Sequence, residues 1–266
     1  MCAARAITSN PGESAMLKQP LLDQLQTLKL NGMRQALHEQ LQMPDSDQLS
    51  FTDRLSLLID RELTERANRR LQYRLQQARL PQPACREDLD YHHPRGLDKS
   101  LIQHLLGDRW LAEHLNCLIT GPTGVGKTWI ACALAQHACR LGYTARYVRL
   151  PRLLPELALA RADGRYPKLL REYAKAQLLV IDDWGLTPLT SEGRRDLLEI
   201  LDDRHHRQST VVTSQLPVAS WHAYLDEPTL ADALLDRLVH NAYTLNLTGE
   251  SLRKRKTPLT NSITEQ

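Results

Sequence analysis

Cysteines are few and far apart in this sequence. Cys2, Cys85, Cys117, Cys132 and Cys139 make five, an odd number with no Cys-x-x-Cys pair, which argues against a disulfide framework and gives no zinc spacing. Reduced thiols in a cytoplasm are the expectation. Long apolar runs are missing too: charged residues interrupt the hydrophobic ones every few positions, and nowhere do about eighteen follow one another as a membrane span requires. The stretch from Met1 to Pro11 has one arginine and no apolar segment behind it, so no secretory leader is expected. There is little charge of either sign in excess: 34 Lys and Arg against 31 Asp and Glu leave a net +3, which neither demands nor excludes a nucleic-acid partner. What remains is a chain of 266 residues, long enough for one sizeable α/β domain and a smaller appendage.

The opening residues are polar and contain Pro and Gly; residues 1–15 read as a disordered tail, with Met16 as an alternative start. From there the pattern is helical. Leu22, Leu25 and Leu28, then Met33, Leu37 and Leu41, recur at three- and four-residue spacing, which predicts two short helices separated near Asn31-Gly32. The run Met43-Pro44-Asp45-Ser46 closes that pair. Ser50 with Asp53 is a capping-box pattern, and Phe51, Leu55, Leu58, Ile59, Leu63, Leu71 and Leu75 mark one face of a long helix that stops before Pro81. Residues 16–80 are thus expected to form a small all-helical domain. Its long helix carries Arg54, Arg61, Arg66, Arg69, Arg70, Arg74 and Arg79, with its acids confined to the first half. The basic half is either a solvated face with pairs such as Glu62 to Arg66 or a phosphate-contacting arm. Residues 81–95, with Pro81, Pro83, Pro94 and the adjacent His92 and His93, read as a linker.

The chemistry begins at Gly121-Pro122-Thr123-Gly124-Val125-Gly126-Lys127-Thr128, a full match to the phosphate-binding P-loop pattern. Cys117 to Thr120 before it is a short buried-strand run and Trp129 to Ala135 after it is helical, the setting the motif needs. Glycines let backbone N–H groups close around phosphate oxygens, and the helix N-terminus adds its positive dipole end. Lys127 is expected to reach the β and γ phosphates of ATP, and Thr128 to offer its hydroxyl to Mg²⁺. A Mg²⁺ ion held in this way also needs a carboxylate. Leu178-Leu179-Val180-Ile181-Asp182-Asp183, four apolar residues running into two acids, predicts an interior parallel strand ending in a cleft. Asp182 is the expected Mg²⁺ partner and Asp183 the candidate base for the attacking water.

Strands are also expected at Thr144 to Val148, Thr210 to Gln215 and Ala242 to Leu247. The second ends in polar groups where a γ-phosphate sensor would sit, with Ser214 and Gln215 as candidates. Arg237, in Asp236-Arg237-Leu238, has two readings: an arginine finger reaching the phosphates of an adjacent subunit, or a helix-surface partner of Asp232 or Asp236.

Gly121 to Thr128, Asp182-Asp183, Thr213-Ser214-Gln215 and Leu235-Asp236-Arg237-Leu238, behind a helical front domain, resemble the IstB-type transposition helper ATPases of IS21-family insertion sequences, relatives of DnaC-type helicase loaders within the AAA+ class. The resemblance runs from about Leu22 to Lys256. It implies an AAA+ α/β core with a parallel sheet flanked by helices over residues 96–256, and a disordered tail over 257–266. It further implies ATP-dependent assembly as a homo-oligomeric ring or filament on duplex DNA, and service to the transposase of the same element. By the same resemblance Lys127, Thr128, Asp182 and Asp183 bind and hydrolyse ATP, Ser214 or Gln215 is the first sensor, and Arg237 acts between subunits. Two departures stand out. Asp183 replaces the longer Glu of many AAA+ ATPases, which implies slow hydrolysis, and too few residues follow Leu247 for the usual helical lid. The basic run Arg253-Lys254-Arg255-Lys256 lies there instead, a solvated terminus or a phosphate contact. A replicative helicase loader is the first alternative, and a small-molecule kinase using the same P-loop is another.

Overall fold

The computed structural model describes residues 11–43 and 48–252. Pro44, Asp45 and Ser46 of the expected loop, the basic run from Arg253 to Lys256 and the tail 257–266 lie outside the described residues. The chain divides after Gln72 into two compact units. Among the described residues no helix is long and apolar enough to cross a membrane.

The first unit holds helices α1 (Pro11–Thr27) and α2 (Asn31–Gln42) and most of α3 (Phe51–Ala78). Helix α1 begins inside the stretch expected as a tail. The break after it comes at Leu28 to Leu30, ahead of Asn31-Gly32: Lys29 turns to a φ of 57° and Leu30 N–H bonds the Leu25 carbonyl at 2.9 Å. Gly32 instead lets α2 approach α3. A Cβ there would lie 2.7 Å from both the Arg61 carbonyl oxygen and Glu62 Cα. At this crossing the buried Glu62 carboxylate accepts from Gly32 N–H at 2.7 Å and Met33 N–H at 3.2 Å. It thereby caps the uncapped N-terminus of α2 from another helix. Burial pushes the Glu62 carboxyl up, but the bonds from Arg66 (2.7 Å), Met33 and Gly32 outweigh it and hold it below its ordinary range.

Ser50 and Asp53 start α3 as expected, with Asp53 N–H on Ser50 Oγ at 3.2 Å and the hydroxyl donating to Asp53 at 2.7 Å. The apolar row of α3 behaves differently from the expectation. Phe51 is 79% exposed and Leu63 61%, because α3 turns Glu62 and the Arg61 backbone toward α2 instead. Of the basic half, Arg66 and Arg69 pair with Glu62 and Glu65 one turn back, and Arg74 donates to the Cys139 carbonyl at 2.9 Å.

The second unit is built on a five-stranded parallel sheet. Its strands are β1 (Asn116–Thr120), β2 (Ala145–Arg149), β3 (Leu178–Trp184), β4 (Ser209–Ser214) and β5 (Ala242–Asn246), in the spatial order β2-β3-β4-β1-β5. Strands β1, β3 and β4 are buried almost throughout, as their near-continuous apolar runs require when helices cover both faces. Helices α4 (Lys99–Leu105) and α5 (Arg109–Ala112) precede β1. Helix α6 (Lys127–Leu141) packs across the sheet through small buried residues such as Ala131, Ala135 and Ala138.

The opposite face carries an extended apolar core. Here Leu118, Leu179, Ile181 and Val212 meet Leu153, Leu157, Leu197, Ile200 and Leu238 from α7 (Leu150–Ala162), α9 (Ser191–Arg204) and α11 (Pro228–Val239), joined by α8 (Tyr166–Lys175) and α10 (Trp221–Leu225). Alternation along β1 explains the split, since Leu118 faces this core while Cys117 and Ile119 point the other way.

At the N-terminal edge of the sheet Asn116 ties three elements. Its amide donates to the Arg237 and Leu238 carbonyls at 2.9 and 3.2 Å and accepts from Thr210 N–H at 2.9 Å. Nearby, Arg204 is 1% exposed and donates to the Tyr173, Ala176 and Ser209 carbonyls and to Thr210 Oγ1; burial pushes its guanidinium down to about 9. At the other edge the chain leaves β1 for the distant β2, with β4 and β5 on either side. That change of direction opens a crevice beyond the C-terminal ends of the strands.

Candidate functional site

The P-loop occupies that crevice. Gly121, Gly124 and Gly126 have φ of 143°, 87° and 95°, values an L side chain rarely takes. A Cβ at Gly121 would strike the Leu247 carbonyl, and one at Gly126 would lie 2.6 Å from Arg95 Nη1. The loop ends where α6 begins, at Lys127, and no side chain caps that helix terminus. Its first amides and positive dipole end therefore face the loop. Lys127 is nearly buried and bends its ammonium back onto the Gly121 and Pro122 carbonyls at 2.7 and 2.8 Å.

Thr128 Oγ1 meets both carboxylate oxygens of Asp182, at 3.1 and 3.0 Å. Asp182 is 3% exposed and collects two further hydroxyls, Tyr147 OH at 2.5 Å and Thr213 Oγ1. Burial and the adjoining Asp182 carboxylate push the Tyr147 hydroxyl up, so it stays protonated and donates.

Between Ile181 and Trp184 the pairing of β3 with β4 slips: Ile181 faces Val212 and Trp184 faces Ser214, so two acids oppose Thr213 alone. The extra residue is Asp183, with φ 62°, and its N–H donates to Thr213 Oγ1 at 3.3 Å. A regular strand would send consecutive side chains to opposite faces; this bulge re-aims the second acid toward the cavity. There Arg149 Nε holds Asp183 at 2.6 Å, and the pairing keeps the guanidinium charged.

A cavity of about 650 Å³ runs from the P-loop, lined there by Thr123, Gly124, Gly126, Lys127, Thr128 and Asp183, a size within the roughly 300–1,000 Å³ of small-ligand sites. Gln215 lines it too, so one expected sensor residue faces the site. Ser214 does not: it is wholly buried, its hydroxyl donating to the Trp184 carbonyl at 2.7 Å and accepting from Leu216 N–H at 3.0 Å. Residues 81–95, expected as a linker, form the cavity's other wall. Ala84, Leu89 and Arg95 are buried, and Gln82, Asp88, Asp90, His93 and Arg95 face the space. Past β5 the chain crosses the loop, with Leu252 N–H on the Gly124 carbonyl at 2.9 Å.

Arg237 stands apart. Its backbone joins Asn116 at the start of β1, one strand length, roughly 16 Å for five residues, from the loop at the end of that strand. Its side chain pairs with Asp202 and donates to the Ala233 carbonyl at 3.0 Å. Of the anticipated partners it meets Asp236, at 3.5 Å.

The site fits a triphosphate with a hard divalent ion. Its glycines leave room that any Cβ would fill, its helix terminus is uncapped, and Thr128 with Asp182 offers only oxygen donors.

Residues 23–260 match the IstB-like ATP binding protein family. A Sinorhizobium fredii protein described as an insertion sequence ATP-binding protein is 51% identical over 241 residues, which are 91% of this chain and 98% of that protein. An IS21 insertion sequence ATP-binding protein of Pseudomonas aeruginosa is 30% identical over 87% of this chain and 88% of its own. Among solved structures, DnaI is similar with a TM-score of 0.55 and 22% identity over 62% of this chain and 92% of that one. Aquifex aeolicus DnaA bound to AMPPCP gives 0.52 and 17% over 64% and 51%. These likenesses bear on the fold alone, a P-loop α/β fold with a parallel sheet flanked by helices.

Proposed function

The chain belongs to the family of IstB-like ATP-binding proteins, and from that premise we propose that it hydrolyses ATP while assembling on duplex DNA in the cytoplasm, as the helper of its element's transposase. The observation that carries the nucleotide part is the meeting of Thr128, on the helix behind the P-loop, with Asp182, at the end of β3. The partners are supported by the insertion-sequence names of the relatives.

In this reading the loop amides and Lys127 bind the β and γ phosphates, which requires the Lys127 ammonium to leave the Gly121 and Pro122 carbonyls. Thr128 and Asp182 would hold Mg²⁺, which when bound offsets the charge of the triphosphate. Asp183 orients the attacking water and takes its proton as the oxygen bonds to the γ phosphorus and the β–γ bridge breaks. Gln215 senses the γ-phosphate. Arg237, too distant for its own loop, supplies positive charge to the site of the next subunit. Head-to-tail contact of that kind builds rings or helical filaments.

Light scattering and native gels with duplex DNA test the proposal, using ATP, ADP and Lys127→Ala. Large assemblies that need both ATP and Lys127 are expected. Duplex binding that ignores nucleotide, together with recovery of a replicative helicase in a pull-down, would replace this reading by that of a helicase loader.

A further inference from the structure

The wall formed by residues 81–95 has no part in the phosphate chemistry, yet it carries unused polar groups. Gln82 Oε1, His93 Nε2 and Arg95 Nε are buried and have no hydrogen-bond partner among the described residues, and all three residues line the cavity. Folded proteins pair nearly all such atoms. Of the eight such atoms among the described residues, three lie along this one wall.

Arg95 fixes this wall to the P-loop. It is 2% exposed, and its Nη1 donates to the Val125 carbonyl at 3.1 Å while Nη2 donates to the Asp90 carbonyl at 2.9 Å. The Arg95 carbonyl in turn accepts from Thr248 N–H at 2.9 Å. His93, whose carbonyl accepts from Arg95 N–H at 2.8 Å, is thus held at a set place relative to the phosphate cradle, and Gln82 lines the same cavity. Trp129 and Leu252 add apolar surface to the same cavity, suited to the flat faces of an aromatic ring.

We infer that Gln82 and His93 read the edge of the nucleotide base and prefer adenine. An adenine edge presents an exocyclic N–H₂ donor beside a ring-nitrogen acceptor. Gln82 Oε1 accepts from that amine, and His93 Nε2–H, in the tautomer that carries the proton there, donates to the ring nitrogen. Hypoxanthine has a carbonyl oxygen in place of the amine and sets acceptor against acceptor. A glutamine amide can rotate to relieve that clash, so the native preference is moderate, whereas a carboxylate can only accept.

The inference rests on the cavity being the nucleotide site, and the experiment separates the two. Binding of ATP, ITP and inorganic tripolyphosphate is measured by calorimetry on the full chain, for the wild type and for Gln82→Leu, Gln82→Glu and His93→Leu. One neutral hydrogen bond predicts an ATP preference over ITP of about tenfold in the wild type. Gln82→Leu and His93→Leu should bring the ratio close to one, and Gln82→Glu should widen it. Tripolyphosphate binding retained in each variant shows that the P-loop is intact. An ATP to ITP ratio unmoved by any of the three substitutions overturns the base-reading role alone. Failure of the wild type to bind ATP or tripolyphosphate overturns the nucleotide site with it.

Discussion

The hydroxyl of Thr128 touches both oxygens of Asp182, at 3.1 and 3.0 Å, although 54 positions separate them in the chain. The contact depends on β1 and β3 lying on either side of β4 in one sheet, so that α6 rises past the end of β3. Tyr147 and Thr213 close on the same carboxylate from β2 and β4. Four elements therefore fix where a divalent ion could be held.

Tyr147 gives the sharpest test of that arrangement. Tyr147→Phe keeps the ring and removes one donor from Asp182. Partners that orient a metal-holding group are worth about 10–100-fold in metal affinity. The Mg²⁺ concentration for half-maximal ATP hydrolysis should rise by about that factor, with ATP binding in the absence of Mg²⁺ unchanged. An unshifted Mg²⁺ dependence would reduce Tyr147 to packing.

The strands and the P-loop were legible in the sequence because short apolar runs ending in polar residues have few other readings, and all five expected strands form. The bulge at Asp182-Asp183 was not, since it is a property of how β3 pairs with β4 and leaves no mark in the β3 sequence. Tyr147 and Arg149 lie on or at the end of an expected strand, and their polar side chains on a sheet edge were the available signal. Residues 81–95 have a linker's composition, with three prolines. The contacts of Arg95 with Val125 and Thr248 and of Glu87 with Arg140 on α6 make them a wall. In α3 the apolar row suggested a core, whereas the helices meet at a glycine and a buried glutamate.

That glutamate makes the helical unit acid-sensitive. The folded Glu62 carboxyl lies below its ordinary value of 4.5, so its contribution is fully present above that value and is lost as pH falls through the lowered folded one. At pH 7, Glu62→Gln should cost about 1.5–3 kcal/mol, the range for hydrogen bonds to charged groups. Helical circular dichroism during urea unfolding at pH 7 and pH 4 checks this. The gap between wild type and variant should narrow in acid, and a gap independent of pH would contradict the cap.

Gly32 should be as intolerant for a different reason. The Cβ of Gly32→Ala would meet the Arg61 backbone and Glu62 Cα at 2.7 to 2.9 Å, and backbone cannot rotate aside as a side chain can. Overpacking of this kind costs about 1–3 kcal/mol, and here it also pulls the α2 amides from Glu62. Gly142→Ala is the control, because nothing lies within 4 Å of a Cβ there and only the left-handed backbone at that helix end is strained. Thermal melts should place Gly32→Ala below Gly142→Ala.

Arg237 decides whether the catalytic site belongs to one chain or two. In its own chain it pairs with Asp202 at the edge of the sheet away from the P-loop, so a role at phosphates requires a neighbour and release from Asp202. Arg237→Ala should then lose roughly 10³–10⁵ in hydrolysis rate, the range for an arginine finger, and Lys127→Ala should be inactive through loss of nucleotide. Mixed together they should recover activity, because the intact P-loop of the Arg237→Ala protomer can meet the intact arginine of the Lys127→Ala protomer. Because only nucleotide-loaded P-loops make junctions, each junction uses the P-loop of an Arg237→Ala protomer, and in a one-to-one mixture roughly half of them meet an intact arginine. Phosphate release from the mixture, measured with duplex DNA present, is the readout. A mixture as inactive as its parts, or an Arg237→Ala protein that hydrolyses ATP normally, would leave Arg237 as the surface partner of Asp202 and return the site to a single chain.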